Sequence, residues 1–138
     1  REVFAGFDPA VVAQYGETEV ELLLGDAGII RHRGKIESTI NNAARCLELA
    51  EQFGSLAGWL WSWEPDQSVR EIDGSIPAST PASAALSRDL KKRAWSFVGP
   101  TTIYAFMQAV GMVNDHLPNC WAHPAVEAER AALLRPVR

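Results

Sequence analysis

A histidine and a cysteine, His116 and Cys120, lie near the end of the chain and are separated by three residues. An imidazole nitrogen and a thiolate are both good zinc ligands, and this spacing allows both to bind one ion. A structural zinc site needs four ligands, and the other candidates, His32, Cys46 and His123, show no paired spacing with them. On the residues alone, the pair is either half of a zinc site or incidental.

A tight turn at residues 94–102 follows three basic residues and separates two predicted helices. Gly99 would let the backbone approach a ligand closely, and Pro100 suits the first position of a helix, where its missing N–H has no partner. Backbone N–H groups and the positive end of the second helix could then hold one DNA phosphate. The alternative is an ordinary turn between helices with a solvated basic end.

A second basic stretch, residues 28–36, crowds Arg31, His32, Arg33 and Lys35 at the start of a long predicted helix. Like charges at this end oppose one another and the helix macrodipole. Either packing of the isoleucines in the stretch holds the segment, or an anion compensates the charge. A solvated basic corner remains the alternative.

Three tryptophans, Trp59, Trp61 and Trp63, follow one another at every second position. An exposed ring could stack on a flipped base. Trp59 and Trp63 share one face of a predicted helix and Trp61 lies on another, so we interpret them as core residues, with Trp61 nearer the surface.

Helix signals predict the elements that position these residues, and no strand signal rises above noise. The most regular pattern predicts one long helix from Arg33 to Phe53, closed by Gly54. Shorter helices are predicted to begin after Asp8, after Thr18 and after Ser55, at Ser83, at Thr101 and at Ala125, with a long connection over residues 64–82. We therefore expect an all-α fold and a single helical domain over residues 1–138.

Composition sets limits on the class of protein. The chain has 138 residues, of which 47% are hydrophobic and 22% charged, as in an ordinary globular protein. No apolar run suits a membrane span and no signal peptide is recognisable, so we expect a cytoplasmic protein without membrane contact. Two cysteines give no disulfide framework. The net charge of −4 argues against non-specific coating of nucleic acid, so any DNA contact must be local.

Taken together, these stretches resemble the Tag-type DNA-3-methyladenine glycosylases. The matching segments lie in order along the chain at residues 7–9, 26–36, 79–83, 90–93, 97–102, 106–109 and 113–116. They include Arg31-His32-Arg33-Gly34-Lys35-Ile36 and Phe97-Val98-Gly99-Pro100-Thr101-Thr102.

The resemblance implies a helix-hairpin-helix DNA glycosylase fold and a monofunctional base excision repair enzyme. It would hydrolyse the N-glycosidic bond of 3-methyladenine in double-stranded DNA, leave an abasic site, and act as a monomer in the cytoplasm, close to the nucleoid. The DNA-binding hairpin would span about residues 90–110. The residues expected to contact DNA are Lys91, Lys92, Arg93, Phe97, Gly99, Pro100, Thr101 and Thr102. His116 and Cys120 match the C-terminal ligand pair of the family's structural zinc ion.

Two departures from the family pattern matter. The chain starts in the middle of that pattern, so two zinc ligands, pocket aromatics and the base-recognising glutamate are expected upstream of Arg1. Ala105 stands where relatives often have a serine that lines the base pocket. Asp115 is either a catalytic aspartate, as in related helix-hairpin-helix enzymes, or a residue that orients the zinc site. The alternative function is a non-catalytic, zinc-stabilised helical DNA-binding or interaction module.

Overall fold

The computed structural model describes residues 1–66 and 76–137, and within these ranges the chain forms helices and no strand. A short 3₁₀ segment, Glu2–Phe7, precedes them. The α-helices are α1 Pro9–Val12, α2 Glu17–Gly25, α3 Arg33–Phe53, α4 Leu56–Trp61, α5 Pro81–Lys92, α6 Pro100–Ala109 and α7 Ala122–Ala132. The all-α prediction is confirmed. Part of the predicted connection over residues 64–82, residues 67–75, lies outside the described residues.

The caps explain where the first helices begin and end. The side chain of Asp8 accepts a hydrogen bond from the Ala10 N–H at 2.9 Å, as an N-cap residue does. The predicted cap at Thr18 is wrong, because Gly16 precedes α2 and its N–H donates to Glu19 Oε2 at 2.7 Å. This hydrogen bond holds the pKa of Glu19 below its usual value. Helix α3 has the predicted bounds and ends where Gly54 takes a left-handed φ of 76°.

Helices α5 and α7 each begin earlier than the sequence pattern predicts. Thr80 caps α5 through the Ser83 N–H at 3.2 Å, with Pro81 at the first helical position. Helix α7 begins at Ala122 rather than Ala125. Pro124 is compatible with this earlier start, since it lies in the first turn, where a missing N–H disrupts no hydrogen bond. Proline was therefore a marker of the first turn in both helices.

Two clusters of buried side chains form the core, and α3 contributes to both. Its first half buries Ile36 and Ala43 with the N-terminal segment and α2, whereas Leu49 packs with α4, α5 and α6. Leu47 is 38% exposed although it lies within the apolar period of α3, whereas Leu49 is 2% exposed. The face that α3 buries changes along its length because its packing partners change.

The tryptophans pack as core residues. Trp59 is buried, and Trp61 and Trp63 are partly buried against the same cluster. The guanidinium of Arg135 lies 5.4 Å from the Trp61 ring centroid, which places this ring at the edge of the core. Among the described residues, no helix is both long enough and apolar enough to cross a membrane.

Candidate nucleic-acid interface

The turn between α5 and α6, residues 93–99, forms a compact hairpin. Two of its non-glycine residues, Ala94 and Phe97, adopt left-handed backbone conformations with φ of 62° and 55°. Such a conformation costs an L-residue roughly 1–2 kcal/mol, so surrounding contacts must hold it. Lys91 and Lys92 are exposed in the last turn of α5, directly before the hairpin.

Helix α3 holds the hairpin through side-chain hydrogen bonds. Asn42 Oδ1 accepts from the Ser96 N–H and Asn42 Nδ2 donates to the Ser96 carbonyl, both at 3.0 Å. Asn41 Nδ2 donates to the Ala94 carbonyl at 2.9 Å. The Ser96 hydroxyl donates to Ser38 Oγ at 2.8 Å. Three polar residues of α3 thus fix the backbone of the hairpin at two points.

Helix α5 fixes the hairpin from the other side. The buried hydroxyl of Ser87 donates to the Val98 carbonyl at 2.6 Å, and Val98 is itself buried. Sequence reasoning missed this serine and the three polar residues of α3. A signal was present, because Asn41 and Asn42 occupy adjacent positions inside a helix, where asparagine is an unfavourable residue unless its side chain has another partner.

The surface that the hairpin presents is open at its glycine. Gly99 precedes α6 with an ordinary φ of −63°, and a Cβ added there would meet nothing within 4 Å. Pro100 occupies the first position of α6, and Thr101 and Thr102 are exposed in the same turn. The first N–H groups of a helix have no partner within it. With Phe97 56% exposed beside them, these residues leave room for an anion at the start of α6.

Arg93 differs from the expectation for a DNA contact. Its guanidinium lies 5.1 Å from the ring centroid of Phe53 and 5.4 Å from that of Trp59. Its Nε donates to Asp89 at 2.7 Å and its Nη1 donates to Gln52 at 2.8 Å. Arg93 therefore connects α5 to α3 and α4, and it is not among the residues that we propose contact DNA.

The second basic stretch surrounds the start of α3. Arg33 donates to Glu17 at 2.9 Å and also pairs with Glu21 and Glu37. The hydrogen bond to Glu17 is the main cause of a raised pKa for Arg33. Carboxylates of the chain itself therefore compensate the charge of this arginine.

His116 and Cys120 lie side by side, with 3.6 Å between Nδ1 and Sγ. Tetrahedral bonds of about 2.0–2.1 Å to nitrogen and about 2.3 Å to sulfur would place these atoms roughly 3.6 Å apart, so the pair fits one zinc ion. Residues 1–66 and 76–137 contain no group of three or more potential ligands. Cys46 is half-buried on α3, and burial raises the pKa of its thiol.

Asp115 lies beside the pair but faces α6. Its Oδ2 accepts a hydrogen bond from the Tyr104 hydroxyl at 2.7 Å and from Gln108 Nε2 at 2.5 Å. The His116 N–H donates to Asn114 Oδ1 at 3.2 Å. Ala105 is exposed on α6, next to Tyr104. Asp115 therefore connects the segment that carries the His–Cys pair to α6, whereas Asn114 bonds to His123 and Glu127 of α7.

Comparison with known proteins finds one family. The family described as methyladenine glycosylase matches residues 1–123. The DNA-3-methyladenine glycosylase 1 of Escherichia coli K12 is 46% identical over 127 residues, which cover 90% of this chain and 68% of that protein. The DNA-3-methyladenine glycosylase of Haemophilus influenzae Rd is 37% identical over 123 residues, covering 87% of this chain and 66% of the relative. The chain thus spans about two thirds of the length of both relatives.

Solved structures of similar proteins share the fold. A crystal structure of 3-methyladenine DNA glycosylase I has 45% sequence identity and a TM-score of 0.79, and the match covers 90% of this chain and 70% of that one. The Staphylococcus aureus enzyme, from a study of 3-methyladenine recognition, has 31% identity and a TM-score of 0.82 over 89% of this chain and 67% of its own.

Proposed function

The chain belongs to the methyladenine glycosylase family. We therefore propose that it is the DNA-binding part of a base excision repair enzyme that removes 3-methyladenine from alkylated double-stranded DNA. The observation that carries this proposal is the match over residues 1–123, which contains both the hairpin and the His–Cys pair. The relatives that match over most of the chain are named for the same activity.

The hairpin supplies the DNA contact. Helices α5 and α6 and the turn between them act as a helix-hairpin-helix unit, in which Gly99 leaves space and the N–H groups of Thr101 and Thr102 bind one phosphate. Lys91 and Lys92 add positive charge beside it. Since the net charge of the chain is −4, this local arrangement matters more than overall electrostatic attraction.

The reaction is hydrolysis of the bond between C1′ and N9. Methylation at N3 places a positive charge on the base, which weakens this bond and makes the base a good leaving group. Water adds at C1′ as the bond breaks, neutral 3-methyladenine leaves, and the proton of the water passes to solvent. Binding interactions that favour the positive charge as it shifts from the base to the sugar contribute much of the catalysis. The role of this chain is to hold the DNA so that the nucleotide can be flipped out.

A structural zinc ion is the second part of the proposal. His116 Nδ1 and Cys120 Sγ would provide two of its ligands, since their separation suits tetrahedral coordination. In the family pattern the other two ligands and the base-recognising glutamate come before the position of Arg1. Zinc would tie the segment after α6 to that part of the protein, and we propose a cytoplasmic monomer acting close to the nucleoid.

An excision assay tests the proposal. The full-length protein is incubated with methylated duplex DNA, and the released bases are separated by chromatography. We expect free 3-methyladenine in the soluble fraction. DNA binding without release of this base would overturn the enzymatic proposal and favour a non-catalytic, zinc-stabilised DNA-binding module. The wild-type protein incubated with unmethylated duplex is the control.

A further inference from the structure

Three basic side chains at the start of α3 are exposed. Arg31, His32 and Lys35 are exposed, and in the part of the chain that the structure describes none of them forms an ion pair. Arg33, between them in sequence, is held by glutamates of α2 and α3. The chain therefore neutralises Arg33, and within the described residues it leaves the charges of Arg31 and Lys35 without an ion pair. We call Arg31, His32 and Lys35 the basic ridge.

The basic ridge is continuous with the hairpin. The rings of His32 and Phe97 meet edge to face, with centroids 6.3 Å apart and an interplanar angle of 79°. Gly34 leaves room for this contact, because a Cβ there would lie 3.2 Å from His32 Cε1 and 3.9 Å from Phe97 Cε2. The surface that runs from Gly99 past Phe97 therefore reaches the start of α3 without a break.

The ring of His32 is held in place by the backbone. His32 Nδ1 accepts a hydrogen bond from the Lys35 N–H at 3.2 Å. The Nε2 atom therefore carries the proton and is the nitrogen left to donate to a ligand. His32 therefore offers a hydrogen-bond donor beside Phe97, and Arg31 and Lys35 are its exposed neighbours at the start of α3.

From this geometry we propose that the basic ridge binds the DNA backbone beside the phosphate held by the hairpin. The inference rests on the proposed function, which supplies the hairpin contact, and extends it with residues from a separate helix. The charge is complementary to phosphate, and the ridge extends the same surface. Contacts of this kind hold the duplex in register and carry no base specificity.

Salt dependence of DNA binding tests the ridge. The dissociation constant of the full-length protein for a short duplex with a stable abasic-site analogue is measured across a series of salt concentrations. Each lost phosphate contact reduces the slope of log affinity against log salt by about 0.9. We expect a loss of about one for Lys35→Ala or Arg31→Ala and about two for the double variant, equally for unrelated sequences.

Two variants serve as controls. Lys35→Arg keeps the charge and should restore the wild-type slope. Arg33→Gln removes one charge from the same stretch but leaves the ridge intact, so its slope should equal that of the wild type. Thermal unfolding of each variant checks that the fold is retained.

The outcomes separate the inference from the proposed function. In one outcome, Arg31→Ala and Lys35→Ala leave the slope unchanged while a hairpin variant such as Gly99→Asp weakens DNA binding. This result would overturn the proposal that the basic ridge binds DNA and would leave the proposed function intact. A slope that falls equally in Arg33→Gln would also overturn it, because the effect would then reflect net charge. A wild-type protein that fails to bind the duplex would overturn both.

Discussion

Asn42 and Ser96 are joined by two hydrogen bonds that run from the amide of one side chain to both backbone groups of the other residue. The Ser96 N–H donates to Asn42 Oδ1 and the Ser96 carbonyl accepts from Asn42 Nδ2, each at 3.0 Å. This pairing lies between the two left-handed residues of the hairpin, Ala94 and Phe97. A residue in the middle of α3 therefore determines the shape of the surface that we propose binds DNA.

Replacing Asn42 tests that relationship. Asn42→Ala leaves the Ser96 N–H without its partner, and an unsatisfied, partly buried donor costs about 1–3 kcal/mol. We expect the free energy of unfolding, measured by urea denaturation, to fall by this amount and DNA affinity to fall with it. Thr39→Ala is the matched control, since the Thr39 hydroxyl donates to the Lys35 carbonyl of the same helix and, among the described residues, makes no hydrogen bond to the hairpin. Equal stability of the two variants would show that the pairing is unimportant.

A substitution at Gly99 separates DNA binding from folding. The position has an ordinary φ and open space, and aspartate is a favourable N-cap, so Gly99→Asp should not destabilise the protein. Its carboxylate would stand where a phosphate binds, and we expect at least about tenfold weaker DNA binding. Gly99→Asn has the same shape and capping ability without the charge. If both variants bind DNA as the wild type does, the hairpin does not hold a phosphate.

The sequence predicts the long helix well and the hairpin contacts poorly, for physical reasons. Helix α3 carries its own signals, because an apolar period and a terminal Gly54 are local properties. The partners of Asn42 and Ser87 lie on the hairpin, and such tertiary partners leave no local pattern. The predicted cap at Thr18 failed because a carboxylate, Glu19, satisfied the first N–H of the turn instead.

The candidate site was likewise predicted in part. The spacing of His116 and Cys120 suggested the pair that the structure brings within 3.6 Å. Arg93 was grouped with Lys91 and Lys92 because all three are basic and adjacent. Its guanidinium turns to Phe53 and Trp59 instead, and no sequence period distinguishes an arginine that packs on aromatic rings from one that is solvated.

Metal content tests the proposed zinc ligands. His116→Ala removes one of the two zinc ligands that we propose for this chain, and we expect the full-length protein to lose about one zinc ion per chain. His123→Ala is the matched control, because His123 is close in sequence but outside the pair. Elemental analysis of purified protein provides the measurement. Wild-type zinc content in His116→Ala would refute the assignment.

We predict that Asp115 positions α6 and the segment that carries His116 and Cys120, and that it does not activate water. Its carboxylate already accepts hydrogen bonds from Tyr104 and Gln108. In single-turnover excision at saturating DNA, we expect Asp115→Asn to lose less than about tenfold in rate, whereas removal of a general base costs about 10²–10⁴-fold. Tyr104→Phe, which removes the hydroxyl that donates to Asp115, should show the same small loss of rate. A loss of a hundredfold or more with intact DNA binding would instead make Asp115 catalytic.

The central claim is hydrolysis of the glycosidic bond of 3-methyladenine. The most direct measurement counts free 3-methyladenine and abasic sites in the same single-turnover reaction of the full-length protein on methylated duplex DNA, with strand breaks followed by gel electrophoresis. We expect one abasic site for every base released, with intact DNA strands. Bound DNA with neither product, or strand cleavage that accompanies base release, would contradict it.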